Sequence, residues 1–436
     1  MMGLEPFWLA MVGLGAMFAL IALHVPIGVA MGITGVAGVA AFVGLDPALS
    51  LFAIEASSAI ANENLAIIAI FLLMGSFANA AGLSGDIYRL AYAFLGHRPG
   101  GLAAATIGGC AGFGAICGSS VATTATMARI AMPEMTRRAY SPELAAGSIA
   151  SGGTLGILIP PSVLMVLYGV LTEQFVIALF AAALLPGLVA VLFYIFTIEI
   201  YVRLRPAAGP PGPKLSWPER WAIVAGSWRA VALAVAVSGG IYSGVFTVTE
   251  AASVGTTLAL IFALRRLRWK EFTDCLLETA GNTCLIFVIL IGAHIFSYFI
   301  SLSQAPDQVV GWIREAGLAP VLVIFLLMLM YLVLGSIFDT VASMVITLPF
   351  VFPLILDMGY SPIWWGVMMV MVMEVGLVTP PIGINVFVLH GVARGVTLRQ
   401  VFAGIVPFLM ADFARLILIA LVPSIALLLP QWLGWA

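Results

Sequence analysis

Small, hydroxyl-bearing and helix-stopping residues gather at four places where an apolar chain should be most regular. The first is Ile116-Cys117-Gly118-Ser119-Ser120, followed by Val121-Ala122-Thr123. The second is Ser151-Gly152-Gly153-Thr154-Leu155-Gly156, closed by Pro160-Pro161-Ser162. The design returns in the second half as Gly335-Ser336-Ile337-Phe338-Asp339-Thr340 and as Glu374-Val375-Gly376-Leu377-Val378-Thr379-Pro380-Pro381. In hydrocarbon an unpaired backbone N–H or C=O costs several kcal/mol, so such interruptions persist only where they line a cavity or bind something. We read them as the parts of an ion and substrate site. Interrupted helices at corresponding positions of two halves are the sequence mark of a secondary transporter's binding site.

The elements that must position these breaks are membrane helices. With 62% hydrophobic and 9% charged residues and a mean hydropathy of +1.15, the chain cannot present the charged surface of a soluble protein, so it is an all-α polytopic membrane protein. The near-neutral charge balance offers no basic surface for nucleic acid, and no zinc-ligand or phosphate-loop motif is present. The first hydrophobic span lacks the positive flank of a secretory signal and is expected to remain in the mature protein.

Apolar runs place spans near 7–23, 27–44 and 65–81, with interfacial connectors near 46–64 and 82–100. Gly28, Gly32, Gly35 and Gly38 give the second span a small-residue stripe suited to close helix packing. The run at about 101–137 is too long for one helix and folds back as a re-entrant hairpin with its tip at Gly118 to Ser120. A broken helix follows at about 142–169 and a long span near 176–201. A proline-rich, basic linker at 203–221 separates this first repeat, 1–202, from a second, 222–436, that repeats the order. Its spans lie near 222–242, 249–264 and 282–302, with an amphipathic connector near 268–281. Then come a hairpin at about 320–356, a broken helix at about 362–393 and a last span near 404–429.

Each half crosses five times, and an odd number requires the second repeat to be inverted relative to the first. Charge placement points the same way. With Met1 outside, the inside loops carry Arg89, Arg98, Arg137, Arg138, Arg203, Arg205, Lys214, Arg220, Arg265, Arg266, Arg268, Lys270, Arg394 and Arg399, and the outside connectors carry Arg314. Both termini are then outside, Ala436 included, and the two hairpins enter from opposite faces to bring their tips together.

The motifs Gly-Ser-Ser-Val-Ala-Thr at 118–123, Gly-Gly-Thr-Leu-Gly-Ile-Leu-Ile-Pro-Pro-Ser at 152–162, Phe-Thr-Val-Thr-Glu-Ala-Ala at 246–252 and Val-Thr-Pro-Pro-Ile-Gly-Ile-Asn at 378–385 resemble the large membrane subunit of tripartite ATP-independent periplasmic (TRAP) transporters, along essentially the whole chain. The resemblance implies a sodium-driven importer of organic acids in a bacterial inner membrane, with an elevator-type fold in which a mobile unit holding both hairpins and broken helices slides against a scaffold. It also implies two partners, a small membrane subunit of about four helices and a soluble periplasmic substrate-binding protein. No additional bundle of spans is visible in the chain, so the small subunit is expected as a separate polypeptide.

Sodium is a hard cation that wants oxygen ligands, and unwound carbonyls with hydroxyls supply them without burying full charges. The candidates are Gly118, Ser119, Ser120, Thr123 and Thr154 in the first half, and Gly335, Ser336, Asp339, Thr340 and Thr379 in the second. The alternative is that these hydroxyls bond the carbonyls of the preceding helical turn. Asp339 can ligate sodium directly, whereas Glu374 can orient its break or exchange a proton; Glu250 reads as structural. Breaks at Gly152, Gly153, Pro160, Pro161, Gly376, Pro380 and Pro381 leave half-helix N-termini whose N–H groups favour anions. Ser162 and Asn385 can add donors, and Arg129 either reaches substrate or snorkels toward the cytoplasm. The rival classes are an ion channel, which should show repeated identical filters, a proton-coupled anion carrier, and an enzyme. The last lacks a catalytic constellation, and no cofactor is expected beyond sodium as coupling ion.

Overall fold

The structure, a computed structural model, describes residues 5–393 and 395–435. Met1, Arg394 and Ala436, which enter the topology argument, lie outside them. Among the described residues every regular element is helical. The first half runs α1 (Pro6–Ala22), α2 (Ile27–Val43), α3 (Leu45–Ala61), α4 (Glu63–Ala80), α5 (Leu83–Leu95), the antiparallel arms α6 (Gly101–Cys117) and α7 (Ser120–Arg137), the interrupted pair α8 (Pro142–Leu158) and α9 (Val163–Leu171), and α10 (Val176–Leu204). The second runs α11 (Trp217–Gly226), α12 (Trp228–Ala234), a π turn, α13 (Gly240–Tyr242), α14 (Val248–Ala263), α15 (Trp269–Leu302), α16 (Ala305–Glu315), the arms α17 (Pro320–Ile337) and α18 (Thr340–Asp357), the interrupted pair α19 (Pro362–Gly376) and α20 (Ile384–Val392), α21 (Leu398–Leu421) and α22 (Ser424–Trp432).

Five of the described helices are long and apolar enough to cross a membrane, and eight spans result if each bent pair counts as one. The bends are 49° between α3 and α4, 40° between α8 and α9, and 59° between α11 and the helix that follows it. Three segments differ from the expectation. The connector near 268–281 and the span after it form one unbroken helix, α15, because no glycine-proline or Pro-Pro break interrupts its polar first turns. The 222–242 span bends at Ser227, whose hydroxyl donates to the Asp86 carbonyl at 3.2 Å. The last span stops at Leu421, where Val422 leaves helical geometry before Pro423, and α22 turns back onto α10.

Both interrupted helices start alike. Tyr140-Ser141-Pro142 and Tyr360-Ser361-Pro362 place proline at the first helical position, and the serine hydroxyl accepts from Leu144 N at 3.2 Å and from Trp364 N at 3.4 Å. Nearly every residue of α8 and α19 is buried, so these two helices are the core around which the rest packs. α6 lies on α8 as α17 lies on α19, and α2 packs on α15 as α14 packs on α4. The glycine stripe of α2 meets α15 closely: a Cβ on Gly28 would come within 2.5 Å of the Val288 carbonyl oxygen. On α10 the exposed Leu188, Leu192, Phe196 and Ile200 form an outward apolar stripe, opposite the buried Tyr194, Ile198 and Val202, which is how a helix between protein and lipid must be written.

The linker lies across the open end of the first hairpin. Gly100 N donates to Gly209 O at 2.9 Å, Ser141 N to Ala208 O at 2.9 Å and Gly212 N to Gly96 O at 3.0 Å. The Tyr140 hydroxyl accepts from Leu102 N at 3.1 Å and donates to Pro210 O at 3.0 Å. Linker and hairpin mouth therefore share one face, which also carries Arg98, Arg137 and Arg138.

Candidate functional site

Gly118 ends α6 at φ 63°, a left-handed turn that side chains resist. That turn puts Ser119 at the N-cap of α7, where its hydroxyl accepts from Ala122 N at 3.4 Å. A Cβ on Gly118 would lie 3.2 Å from Pro161 O and 3.4 Å from Val163 N, so the first tip rests on the Pro160-Pro161 break, which is a cis bond, as is Pro380-Pro381. Below the tips, arm and broken helix touch through paired glycines. A Cβ on Gly114 would be 2.5 Å from Gly156 Cα, and one on Gly376 would be 2.6 Å from Gly335 C.

The hydroxyls of Thr123, Thr124 and Ser151 are fully buried without a hydrogen-bond partner among the described residues. Both threonines face bare glycines of α8. A Cβ at Gly156 would come within 2.6 Å of Thr123 Oγ1 and 2.8 Å of the Ser119 carbonyl oxygen, and one at Gly153 within 1.8 Å of Thr124 Oγ1. The bare glycines let these buried oxygens pack directly against the α8 backbone, and buried oxygens left without partners suit a small hard cation.

In the second half, Ser336 O accepts from Ile382 N and Gly383 N, both at 3.3 Å, so the second tip is tied to the loop before α20. Asp339 is exposed and N-caps α18, accepting from Val341 N at 3.0 Å; Thr340 is buried beside it. The hydroxyls of Ser336, Thr379 and Thr154 donate to Val333 O (2.8 Å), Val375 O (2.6 Å) and Ser151 O (2.7 Å), the helical back-bonding left open above.

Asn385 joins the halves. Its Nδ2 donates to Ser120 Oγ at 2.6 Å and its N–H to Leu377 O at 3.0 Å, with the side chain fully buried. Ser162 is buried and N-caps α9, its hydroxyl accepting from Met165 N at 3.5 Å. The helices α7, α9, α18 and α20 thus all begin at the tips and breaks. A cleft of about 90 Å³ opens beside Ser119, lined by Ser76, Asn79, Thr126, Glu278 and Asn282. Arg129 is exposed and makes no ion pair among the described residues. Glu250 closes a capping box, its Oε2 accepting from Thr247 N at 2.8 Å.

Glu374 lies in a buried charged group that sequence reasoning missed. Arg415 Nη2 stands 3.8 Å from Glu374 Oε2, Arg415 Nε donates to Asp412 Oδ1 at 2.7 Å, and the Tyr194 hydroxyl donates to the same Oδ1 at 2.8 Å. All four side chains are fully enclosed. The available signal was Asp412 and Arg415 three residues apart in the apolar body of α21.

Hairpins and interrupted helices meeting inside an all-helical, multi-span chain define a membrane permease. In fold it is similar to the crystal structure of the Alcanivorax borkumensis YdaH transporter, with a TM-score of 0.61, 15% identity and 90% of each chain covered. The family model for the DctM component of the tripartite ATP-independent periplasmic transporter matches residues 14–425. The chain is 37% identical over 367 residues to the C4-dicarboxylate TRAP transporter large permease protein DctM of Pseudomonas aeruginosa, covering 84% of this chain and 85% of that one. It is 31% identical over 411 residues to the isethionate TRAP transporter permease protein DctMQ of Oleidesulfovibrio alaskensis, covering 92% of this chain and 63% of that one. The chain belongs to the DctM family: it is the large permease subunit of a bacterial TRAP transporter, and not an enzyme.

Proposed function

We propose that this subunit imports an organic acid across the bacterial inner membrane by sodium symport, receiving substrate from a periplasmic binding protein and working with a small membrane subunit on a separate chain. The observation that carries the sodium assignment is the cradle at the first tip, where the buried Thr123 Oγ1 lacks a partner and, with the Ser119 carbonyl, lies against the bare backbone of Gly156. Gly118, Ser119 and Thr123 would hold one ion; Gly335, Ser336, Asp339 and Thr340 are the corresponding set in the second half. An organic anion is supported by the four helix N-termini that begin at the tips and breaks. C4-dicarboxylate and isethionate, for which the two relatives are named, are small anions.

The proposed topology is an inverted repeat with linker cytoplasmic and both termini periplasmic. Whether the arms of a hairpin re-enter or cross twice, they add an even number of crossings, so the odd parity of each half stands. Two tips that meet at the start of α20, Ser336 through the N–H groups of Ile382 and Gly383 and Ser120 through Asn385, suit a single sliding unit, as an elevator requires. Ala208 is buried, so the exposed Ala207 is the position to probe. In a background carrying Cys284→Ser, Ala207→Cys is expected to react with an impermeant maleimide only in inverted vesicles; reaction in intact spheroplasts contradicts the topology. Reconstituted with its small subunit, the protein is expected to take up substrate saturably and only when the loaded binding protein is outside. Linear uptake independent of that protein would favour a channel.

A further inference from the structure

The enclosed chain of contacts from Thr154 through Tyr194 and Asp412 to Arg415 and Glu374 follows the repeat. Thr154 and Glu374 each stand six positions before the first proline of their break, and Tyr194 and the Asp412–Arg415 pair sit on α10 and α21, the long helices that follow each interrupted pair. Thr154 Oγ1 lies 3.3 Å from the Tyr194 hydroxyl, which reaches Asp412 Oδ1 at 2.8 Å. The Arg415 guanidinium lies 5.7 Å from the centre of the Tyr194 ring. The proton order is fixed by the carboxylate: Tyr194 donates to Asp412, so Thr154 donates toward Tyr194 and shares that proton with Ser151 O. Such a relay is polarised along its length toward the buried acid.

Thr154 is flanked by the glycines that floor the cradle. Gly153 faces Thr124 and Gly156 faces Thr123, so whatever fixes the height and rotation of α8 at Thr154 also fixes the spacing between α8 and the first tip. We propose that Tyr194 is a positioning residue, a hydroxyl brace that holds the two interrupted helices in register, and that Thr154 belongs to this brace instead of ligating sodium. The brace rests on the sodium coupling proposed above for its effect on transport, and on packing alone for its effect on the breaks.

The test uses Tyr194→Phe, Thr154→Val and the double variant in the reconstituted complex. Each removes the link while keeping Arg415 paired with Asp412. The sodium concentration giving half-maximal uptake is expected to rise roughly threefold to tenfold, the range for one hydrogen bond, with the maximal rate at saturating sodium within about twofold of the parent. The double variant is expected to match the worse single variant, since both cut one link. Amide hydrogen exchange is expected to quicken in both breaks, at 150–162 and 370–382, in either variant. A rise in sodium requirement for Thr154→Val with none for Tyr194→Phe would overturn the brace and return Thr154 to the ligand set. Unchanged exchange at the second break in Tyr194→Phe would overturn it as well. If the parent complex shows no sodium dependence, the sodium proposal fails, and the exchange measurement alone decides the brace.

Discussion

Arg415→Ala is expected to abolish transport and to lower the thermal midpoint of the purified protein by more than any other single truncation of a polar side chain. Arg415 is enclosed between two carboxylates, Asp412 at 2.7 Å and Glu374 at 3.8 Å, in a region without water contact. Removing the cation leaves acids that neither bulk solvent nor a second base can stabilise, and breaking a buried pair from one side costs about 3–5 kcal/mol. Arg415→Lys is expected to be intermediate, because an ammonium keeps the charge but cannot aim at both carboxylates from one planar fork. Thermal unfolding in detergent measures both. A midpoint for Arg415→Ala equal to that of the parent would mean that the group is not the buried ion cluster described.

Gly376→Ala is expected to cut transport at least tenfold. The added methyl would sit 2.6 Å from Gly335 C, 2.8 Å from Gly335 Cα and 2.9 Å from Ser336 N. All three are backbone atoms of the second hairpin, so no side-chain rotation relieves the clash, and the arm must shift from the broken helix at a cost of about 1–3 kcal/mol. That shift would also disturb Ser336 O, which accepts from the N–H groups of Ile382 and Gly383. Gly391→Ala is the control. Nothing lies within 4 Å of its Cβ position in α20, and alanine is the better helix former, so uptake should be unaltered. Equal activity of both variants would contradict the close packing of hairpin and broken helix.

The interruptions were legible because glycine, serine and Pro-Pro pairs are rare inside apolar helices, and the motifs at 118–123, 152–162 and 378–385 were specific enough to point to the family. Thr123 was legible by the same reading, but its neighbour Thr124 was not, since nothing local says which hydroxyl of a Thr-Thr pair faces a glycine on another helix. Contacts between the halves were hidden for a simpler reason. Asn385 meets Ser120 and Tyr194 meets Asp412 across more than two hundred residues, and no periodicity records such a pairing. Asn385, a donor to substrate in the sequence reading, gives one of its two Nδ2 protons to Ser120 Oγ. Helix continuity was equally opaque: the polar first turns of α15 look like an interfacial connector, but no break separates them from the span that follows, and Phe272 in those turns stacks on Phe77 of α4.

In the proposed mechanism, sodium binding at the tips drives substrate inward. The most direct measurement is uptake into liposomes carrying this subunit and its small partner, with loaded binding protein outside, under an imposed sodium gradient at equal pH and then under a proton gradient at equal sodium. Accumulation above equilibrium is expected in the first case and none in the second. Accumulation driven by the proton gradient alone, or by neither, would contradict the account.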